Sequence, residues 1–351
     1  MSLLAALLVC ALPAGGEVEL RFAPAEGSKL RRTITLDHTL VVQEMASVSQ
    51  AGTQTSQDQI SIGVHQVLRT LDELRKVGEG RPLLLQRRFD EVAWTGKFNF
   101  SGHDEQIKGV SPLAGTGVVY TWVPEERAYG KYYDAKESPE EVLLRLEEDL
   151  DLRALLPAAP VAPGASWSVP AAQLAGVFAP AGRLDLRFDA KRTRMNLLRT
   201  LRCGLAGNYG EFFGGESKGQ CKLKLASVAE QQGHSLATIE LEVEIENQVD
   251  QRDLQQAQLT GPELVSGYKC TRAPVTWGFQ GKGQLMWDLT AHRAASLGLQ
   301  GSQQVTVATE LAIGAQPPFT QRMKLAGGLS FTWLIEDPAA PAPPDKPQGQ
   351  K

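Results

Sequence analysis

The stretch Ile239-Glu240-Leu241-Glu242-Val243-Glu244-Ile245-Glu246 decides the fold class of this chain. Apolar and acidic residues alternate strictly, so an extended backbone places every apolar side chain on one face and every glutamate on the other. Such a strand needs a core on one side and water on the other. This is typical of an antiparallel sheet, because parallel sheets are buried on both faces and their strands are continuously apolar.

The same alternation recurs along the chain and predicts a mainly β protein. It is found at 34–42, 184–188, 305–313 and 329–335. The 34 glycines and 20 prolines fit many short strands separated by turns. Residues 64–77 also match a helical spacing, but the turn at 78–82 and the β-like run at 83–89 favour a hairpin.

One segment carries the signature of a helix. Ser138 is a suitable N-cap, Pro139 a suitable first helical residue, and Glu141 completes a capping box. Val142, Leu143, Leu146 and Leu150 then follow at helical spacing, which predicts a helix at about 139–149.

Composition shifts divide the chain. A segment rich in proline, alanine and glycine at 158–170 predicts a connector between a β-rich half at 17–157 and a second antiparallel half at 171–336. We expect each half to be a curved sheet. The stretch 337–351, DPAAPAPPDKPQGQK, predicts a disordered, proline-rich tail.

A weak internal echo indicates that the halves arose by duplication. The segments 115–127 and 281–293 both begin Gly-x-Gly, contain a tryptophan and end in arginine. The tryptophans differ by one position, so coincidence is the alternative. Duplication would place Arg127 and Arg293 after equivalent strand ends.

The N-terminus predicts export. Residues 2–12 form an uncharged apolar run followed by Pro13-Ala14-Gly15-Gly16, typical of a signal peptide spanning 1–16. No later stretch approaches the roughly 20 apolar residues of a membrane-spanning helix. We therefore expect a periplasmic, envelope-associated or extracellular protein. Leu7-Leu8-Val9-Cys10 loosely resembles a lipobox, but Val9 disfavours a lipid anchor on Cys10.

Charge and cysteines set further limits. The formal charge is −4 with a pI near 5.8, which disfavours a nucleic-acid partner. Cys203 and Cys221 flank a glycine-rich connection, and a hairpin there would allow a disulfide in an oxidising compartment. Buried reduced thiols are the alternative.

One basic patch departs from the acidic average and could bind an anionic ligand. It consists of Arg187, Lys191, Arg192, Arg194, Arg199 and Arg202. Neutralisation by Asp185, Asp189 and the glutamates at 240–246 is the favoured alternative.

No motif for catalysis, a cofactor or a metal is legible. The five histidines lack ligand spacing, the Gly-x-Gly pairs lack the rest of a dinucleotide fingerprint, and 164–168 departs from a nucleophile elbow. We therefore expect no catalytic, cofactor-binding or metal-binding residues.

The run 146–201 resembles a group of uncharacterised exported bacterial envelope proteins. The shared features are Leu155-Leu-Pro157 followed by Gly164-Ala-Ser-Trp167-Ser-Val-Pro170, and the segment 281–293 also fits the group. The resemblance implies compartment and fold, but the group has no assigned activity.

Two functional hypotheses follow. Curved sheets with a helix across one face can enclose an apolar cavity, so the first is a non-catalytic envelope protein that binds a lipid or another hydrophobic ligand. The alternative is a structural or protein-interaction module of the envelope. The sequence disfavours an enzyme and leaves the oligomeric state open.

Overall fold

A computed structural model describes most of the chain. The described residues are 16–56, 60–100, 102–134, 139–188, 209–253, 256, 268–314 and 316–338. The predicted signal peptide up to residue 15, with Cys10, and the tail beyond residue 338 lie outside them.

Fifteen β-strands are found within these ranges, and every pairing is antiparallel. The strands are β1 (Ser28–Ser49), β2 (Gly52–Ser56), β3 (Ile60–Gly78), β4 (Arg81–Phe100), β5 (His103–Val110), β6 (Gly117–Val123), β7 (Ala128–Tyr133), β8 (Ser166–Pro170), β9 (Arg187–Phe188), β10 (Glu216–Gln231), β11 (His234–Asp250), β12 (Tyr268–Arg272), β13 (Pro274–Asp288), β14 (Arg293–Ile313) and β15 (Phe319–Glu336). The predicted antiparallel β class is confirmed.

All of the strands belong to one sheet. Its main path is β7-β6-β4-β3-β1-β15-β14-β13-β11-β10-β8, with β2, β5, β9 and β12 attached beside it. Each half of the path is a meander. The two meanders join where the first long strand, β1, pairs with the last, β15. Strands from both sides of the predicted connector thus share a single sheet.

The alternation in the deciding stretch has the expected structural effect. In β11 the apolar residues of 239–245 are buried, and Glu240, Glu242, Glu244 and Glu246 are exposed. The ambiguous segment 64–77 is a strand, because its buried positions alternate and it pairs with β4 as a hairpin.

The predicted helix is present but short. Helix α1 spans Glu140–Leu144, and a second helix, α2, spans Ala175–Phe178. Tertiary contacts end α1 early, since Leu146 forms an antiparallel bridge with Gly182 and the Glu147 amide donates to the Ala181 carbonyl. Short 3-10 turns occur at Arg153–Leu155, Ala171–Leu174 and Tyr209–Gly214. No helix in the described ranges combines the length and apolar character needed to span a membrane.

The second part of the predicted connector is a strand. β8 pairs with β10 and directs Val169 into the core. Trp167 packs against the core and donates its indole N–H to the Leu155 carbonyl at 2.9 Å. The tryptophan therefore links β8 to the end of the preceding 3-10 turn.

The internal echo corresponds to two similar hairpins. Both have four-residue loops, 124–127 and 289–292. The last loop residue has a positive φ in each, 50° at Arg127 and 51° at His292. The tryptophans, Trp122 and Trp287, occupy matching positions two residues before the loops, whereas Arg127 lies in a loop and Arg293 begins a strand. The two arginines thus follow corresponding strand ends but are offset by one position, and duplication stays a prediction.

Aromatic side chains from the segments between strands pack against the apolar face of the sheet. Phe178 of α2 makes edge-to-face contacts with Trp277, Phe279 and Phe331, with ring centroids 5.1, 5.3 and 5.2 Å apart. Such pairs stabilise a core by about 0.5–1.5 kcal/mol each beyond burial. The buried residues of both halves form one main cluster.

Glycines on the apolar face permit close strand approach. Gly281 and Gly301 are paired across β13 and β14. A Cβ on Gly301 would lie 2.2 Å from the Gln280 carbonyl oxygen and 2.5 Å from the Gly281 Cα. Because both atoms are backbone, a side chain here would force the strands apart. Gly278, on the polar face of β13, is different, since a Cβ there would meet nothing closer than 3.8 Å.

These surroundings predict opposite effects for two alanine substitutions. Gly301→Ala should lower the free energy of unfolding by about 2 kcal/mol or more, because the new methyl group overlaps backbone. Gly278→Ala should be neutral or stabilise by up to about 1 kcal/mol, because it only restricts the unfolded chain. Urea denaturation of both variants measures the difference. Equal effects would contradict this assignment of the two faces.

Candidate functional site

A broad pocket lies on the polar face of the sheet. Its volume is about 1710 Å³, and its lining comes from eight successive strands, β4-β3-β1-β15-β14-β13-β11-β10. We call it the polar trough. It is a property of the whole sheet, since each strand contributes only a few residues.

Cross-strand register places the lining residues in rows that run across the sheet. The central row is Lys97, Gly63, Thr39, Gly328, Ser302, Gln280, Glu244 and Gln220. A neighbouring row is Thr95, His65, Asp37, Ser330, Gln300, Lys282, Glu242 and Lys222. Gln304, Gly278, Glu246 and Lys218 form part of a third.

The middle of the polar trough is almost free of charge. Across β15, β14 and β13 the polar lining side chains are serines and glutamines, apart from Lys282. The charged lining side chains are four lysines and four carboxylates: Lys97, Lys218, Lys222, Lys282, Asp37, Glu242, Glu244 and Glu246. Apart from His65, the formal charges of the lining cancel.

Several of these charges neutralise one another locally. Lys282 lies 3.4 Å from Glu242, and His65 Nδ1 lies 2.7 Å from Asp37 Oδ1. Strand β11 is interior, between β10 and β13. Its glutamates face lysines on both neighbouring strands, Lys218 and Lys222 on β10 and Lys282 on β13.

Three glycines open the floor of the polar trough. An added Cβ would come no closer to a neighbour than 3.9 Å at Gly63, 3.8 Å at Gly278 and 3.6 Å at Gly328. None of the three has a positive φ. Neither packing nor backbone conformation therefore requires glycine, although glycine weakens a strand interior.

A buried hydrogen-bonded chain lies on the apolar side of the same strands. The Tyr209 hydroxyl donates to Gln303 Oε1 at 3.0 Å, and the Trp277 indole donates to the same oxygen at 3.1 Å. Since the phenolic proton is used there, His38 Nδ1 is the donor in its contact with Tyr209. Gln303 in turn donates to the Gly328 carbonyl at 3.2 Å. These hydrogen bonds hold together the strands that carry the floor of the polar trough. Burial raises the pKa of Tyr209.

A second polar cluster, the buried ionic cluster, joins β1, β3 and β4 to the segment after α1. Asp72 is fully buried and accepts two parallel bonds from Arg87, Nε to Oδ1 at 3.0 Å and Nη2 to Oδ2 at 2.9 Å. Arg32 also pairs with Asp72. Arg87 then donates to the carbonyls of Glu147 and Glu148 at 3.1 and 3.0 Å.

The pKa directions follow from this arrangement. Burial alone would raise the pKa of Asp72, but attraction by Arg32 and Arg87 outweighs it and lowers that pKa. Burial lowers the pKa of Arg32. Burial also opposes the charge of Arg87, but Asp72 raises its pKa overall.

Asp149, on the acidic side of the cluster, has a raised pKa. Arg153 binds Glu148 at 2.8 Å and also Asp151. Burial and the charge of Asp151 raise the pKa of Glu148. Burial, followed by repulsion from Glu148, raises the pKa of Asp149 to about 7. Asp149 Oδ1 is buried without a hydrogen-bond partner among the described residues, and the carboxylate packs against Gly176 of α2.

The sequence predicted neither site. Of the basic patch, only Arg187 is described, and it is exposed on β9; Lys191, Arg192, Arg194, Arg199 and Arg202 lie outside the described residues. Cys203 lies outside them too. Cys221 is buried, and burial raises the pKa of its thiol to about 12. The proposed disulfide and anionic site therefore stay predictions. Within the described ranges, no three His, Cys, Asp or Glu side chains are grouped to hold a metal.

Comparisons with known proteins give only distant likenesses. No family model and no curated protein matches the chain. An outer membrane channel from Pseudomonas putida F1 has 8% identity and a TM-score of 0.21, covering 89% of this chain and 98% of its own. A FadL homologue from Pseudomonas aeruginosa has 8% identity and a TM-score of 0.14, covering 88% and 90%. Acinetobacter baumannii OccAB4 has 7% identity and a TM-score of 0.14, covering 89% and 98%. These scores are too low to support an argument about function.

Removing Asp72 should be costly. Asp72→Asn would leave Arg32 and Arg87 buried without a compensating charge, so we expect the free energy of unfolding to fall by about 3 kcal/mol or more. The exposed pair Arg69 and Glu91 is the control, and Glu91→Gln should cost less than about 1 kcal/mol. Urea denaturation compares the two. A loss below about 1 kcal/mol for Asp72→Asn would show that the buried ionic cluster does not stabilise the fold.

Asp149 should make stability depend on pH. Its pKa is about 7 in the folded chain but near 4 when unfolded, so the folded chain binds the extra proton between these values. Stability contributed by that proton is therefore fully present below about pH 4 and is lost progressively as pH rises through 7, with a loss on the order of 2–4 kcal/mol between pH 5 and pH 8.

Thermal unfolding at pH 5 and pH 8 measures this dependence. Asp149→Asn should reduce the loss of stability between the two pH values, because the amide does not titrate. Glu141→Gln, at an exposed position on α1, should leave the wild-type profile unchanged. An identical profile for wild type and Asp149→Asn would contradict the assignment.

Proposed function

We propose that this protein is a non-catalytic interaction module of the cell envelope, and that the polar trough is its binding surface. The open glycines carry this proposal. Gly63, Gly278 and Gly328 lie inside strands, where glycine weakens pairing, and no neighbouring atom excludes a side chain. Glycine at such positions is accounted for by a partner that approaches the backbone closely, because any side chain would occupy that space.

A hydrophobic ligand receives less support. It would need an apolar cavity, and the apolar face is filled by side chains in the described structure. The fully buried ones include Trp277, Trp287, Trp333, Phe178 and Phe331. The large pocket described above lies on the polar face instead. We therefore favour the interaction module over lipid carriage.

The envelope location is proposed from the N-terminal sequence. The apolar run at 2–12 and the small residues after it have the character of an export signal. A partner outside the cytoplasm fits an acidic protein with a charge-balanced binding surface, since neither feature attracts nucleic acid.

A second candidate function depends on one observation, the His65–Asp37 pair within the polar trough. A histidine held by a carboxylate can act as a general base. Both side chains are more than half exposed, however, and Thr95, across from His65, makes no hydrogen bond to it in the described structure. A hydrolase built on this pair would therefore have to use His65 to activate a water molecule rather than the Thr95 hydroxyl. If the protein is a binding module, the partner that crosslinks to His65→Ala should have the same length as the partner that crosslinks to the wild-type chain.

Photo-crosslinking in the producing cells tests the proposed function. A diazirine-bearing residue replaces Gln280, Gln300 or Gln304 in the polar trough, one at a time, in the full chain. Gln321 is the matched control, because it is also an exposed glutamine on a long strand but does not line the trough. We expect adducts from the three trough positions and none from Gln321.

A blocking variant makes the result specific. Gly278→Tyr should abolish the adducts by filling the floor. Gly298→Tyr should leave them intact, since Gly298 is an equally open, exposed strand glycine outside the lining. Adducts that form equally at Gln321, or none at the trough positions, would overturn the proposal.

A further inference from the structure

The dimensions of the polar trough suit one extended chain. Eight strands at the usual spacing of about 4.8 Å give a length of about 34 Å across the sheet. The lining on β11, from Glu242 to Glu246, covers about 14 Å along the strand. Over an area of about 34 by 14 Å, the volume of about 1710 Å³ corresponds to a mean depth of about 4 Å.

A trough this wide and shallow favours a thin partner over a thick one. An α-helix about 10 Å across is narrower than the trough but more than twice as thick as the trough is deep, so most of the helix would stand above the rim. A single extended chain, with the spacings of a β-strand, is about 4.8 Å thick and about 10 Å wide, so it suits both the depth and the width of the trough.

The chemistry of the floor favours hydroxyl groups over polypeptide side chains. Glutamine amides and serine hydroxyls both donate and accept hydrogen bonds, as sugar hydroxyls do. The apolar residues of the lining, such as Val243, Phe279 and Leu329, are buried and offer no apolar anchor pocket. Peptide recognition relies on such pockets or on pairing along a strand edge, and a chain crossing the strands on their face has neither.

The charge balance bears on the same question. Four lysines and four carboxylates line the trough, and the strands without a charged lining residue, β15 and β14, lie between its ends. A polyanion or polycation would find as many repulsive as attractive partners there. An uncharged chain meets the amides and hydroxyls without having to displace the Lys282–Glu242 pair.

We infer that the occupant of the polar trough is a single extended, uncharged glycan chain that crosses the strands and approaches the backbone at Gly63, Gly278 and Gly328. This inference rests on the proposed function and specifies the chemical class of the partner. The sugar rings lie over the open glycines, and their hydroxyls bond to Gln280, Gln300 and Ser302.

The adduct captured through Gln304 tests the inference. Proteinase should digest the protein part of the adduct and leave the captured partner intact. Periodate oxidation should destroy that partner, and hydrolysis should release neutral sugars from it. Neutral fragments released from the adduct then serve as the probe for calorimetry with the full chain. Gly278→Tyr should weaken their affinity at least tenfold, and Gly298→Tyr should change it less than twofold.

The outcomes separate the two proposals. A trough-specific adduct that is a polypeptide, or a polysaccharide of acidic sugars, overturns the neutral glycan and leaves the interaction module standing. No trough-specific adduct overturns both. A neutral polysaccharide whose fragments bind Gly278→Tyr as tightly as wild type overturns the assignment of the glycan to this floor.

Discussion

The separation of apolar and polar side chains onto opposite faces of one sheet is the constraint on which the structure depends. Each long strand must bury one face, and no pair of strands can do so alone. The β1–β15 pairing joins the two meanders and lets strands from both halves contribute to one core. A slip of one residue in any strand would turn its apolar face to water, so burial also fixes register. The rows of the polar trough exist only because that register is fixed.

Glycine has opposite roles on the two faces. On the apolar face, Gly281 and Gly301 are required because backbone atoms of the adjoining strand occupy the place of a side chain. On the polar face, Gly278 and Gly328 have open space around them. The first kind contributes to stability, whereas the second weakens pairing slightly and leaves the floor accessible. Because both kinds of glycine lie in neighbouring strands, this section of the sheet lacks side chains at these positions on both faces.

The alternation at 239–246 was sufficient to predict antiparallel strands, because period-two burial is a local property. It could not predict the polar trough, since the central row draws one residue from each of eight strands and depends on the pairing of β1 with β15. The early end of α1 was equally inaccessible, because the bridge between Leu146 and Gly182 is a tertiary contact. The buried ionic cluster did leave a local signal. Arg32 and Asp72 occupy the apolar phase of their strands, where a charged residue needs a partner.

The buried ionic cluster and the polar trough are linked through the strands that they share. Arg32 precedes Asp37 on β1, and Asp72 follows His65 on β3, so each strand carries a residue of both sites on opposite faces. Apolar side chains tolerate small displacements, whereas the two-bond contact between Arg87 and Asp72 has a defined geometry. A shift of β3 against β4 would break that contact and leave charges buried without partners. The same shift would move His65 and Gly63 out of their rows. The energetic cost of the buried charges thus accounts for the alignment of this end of the trough, which apolar packing alone would define less sharply.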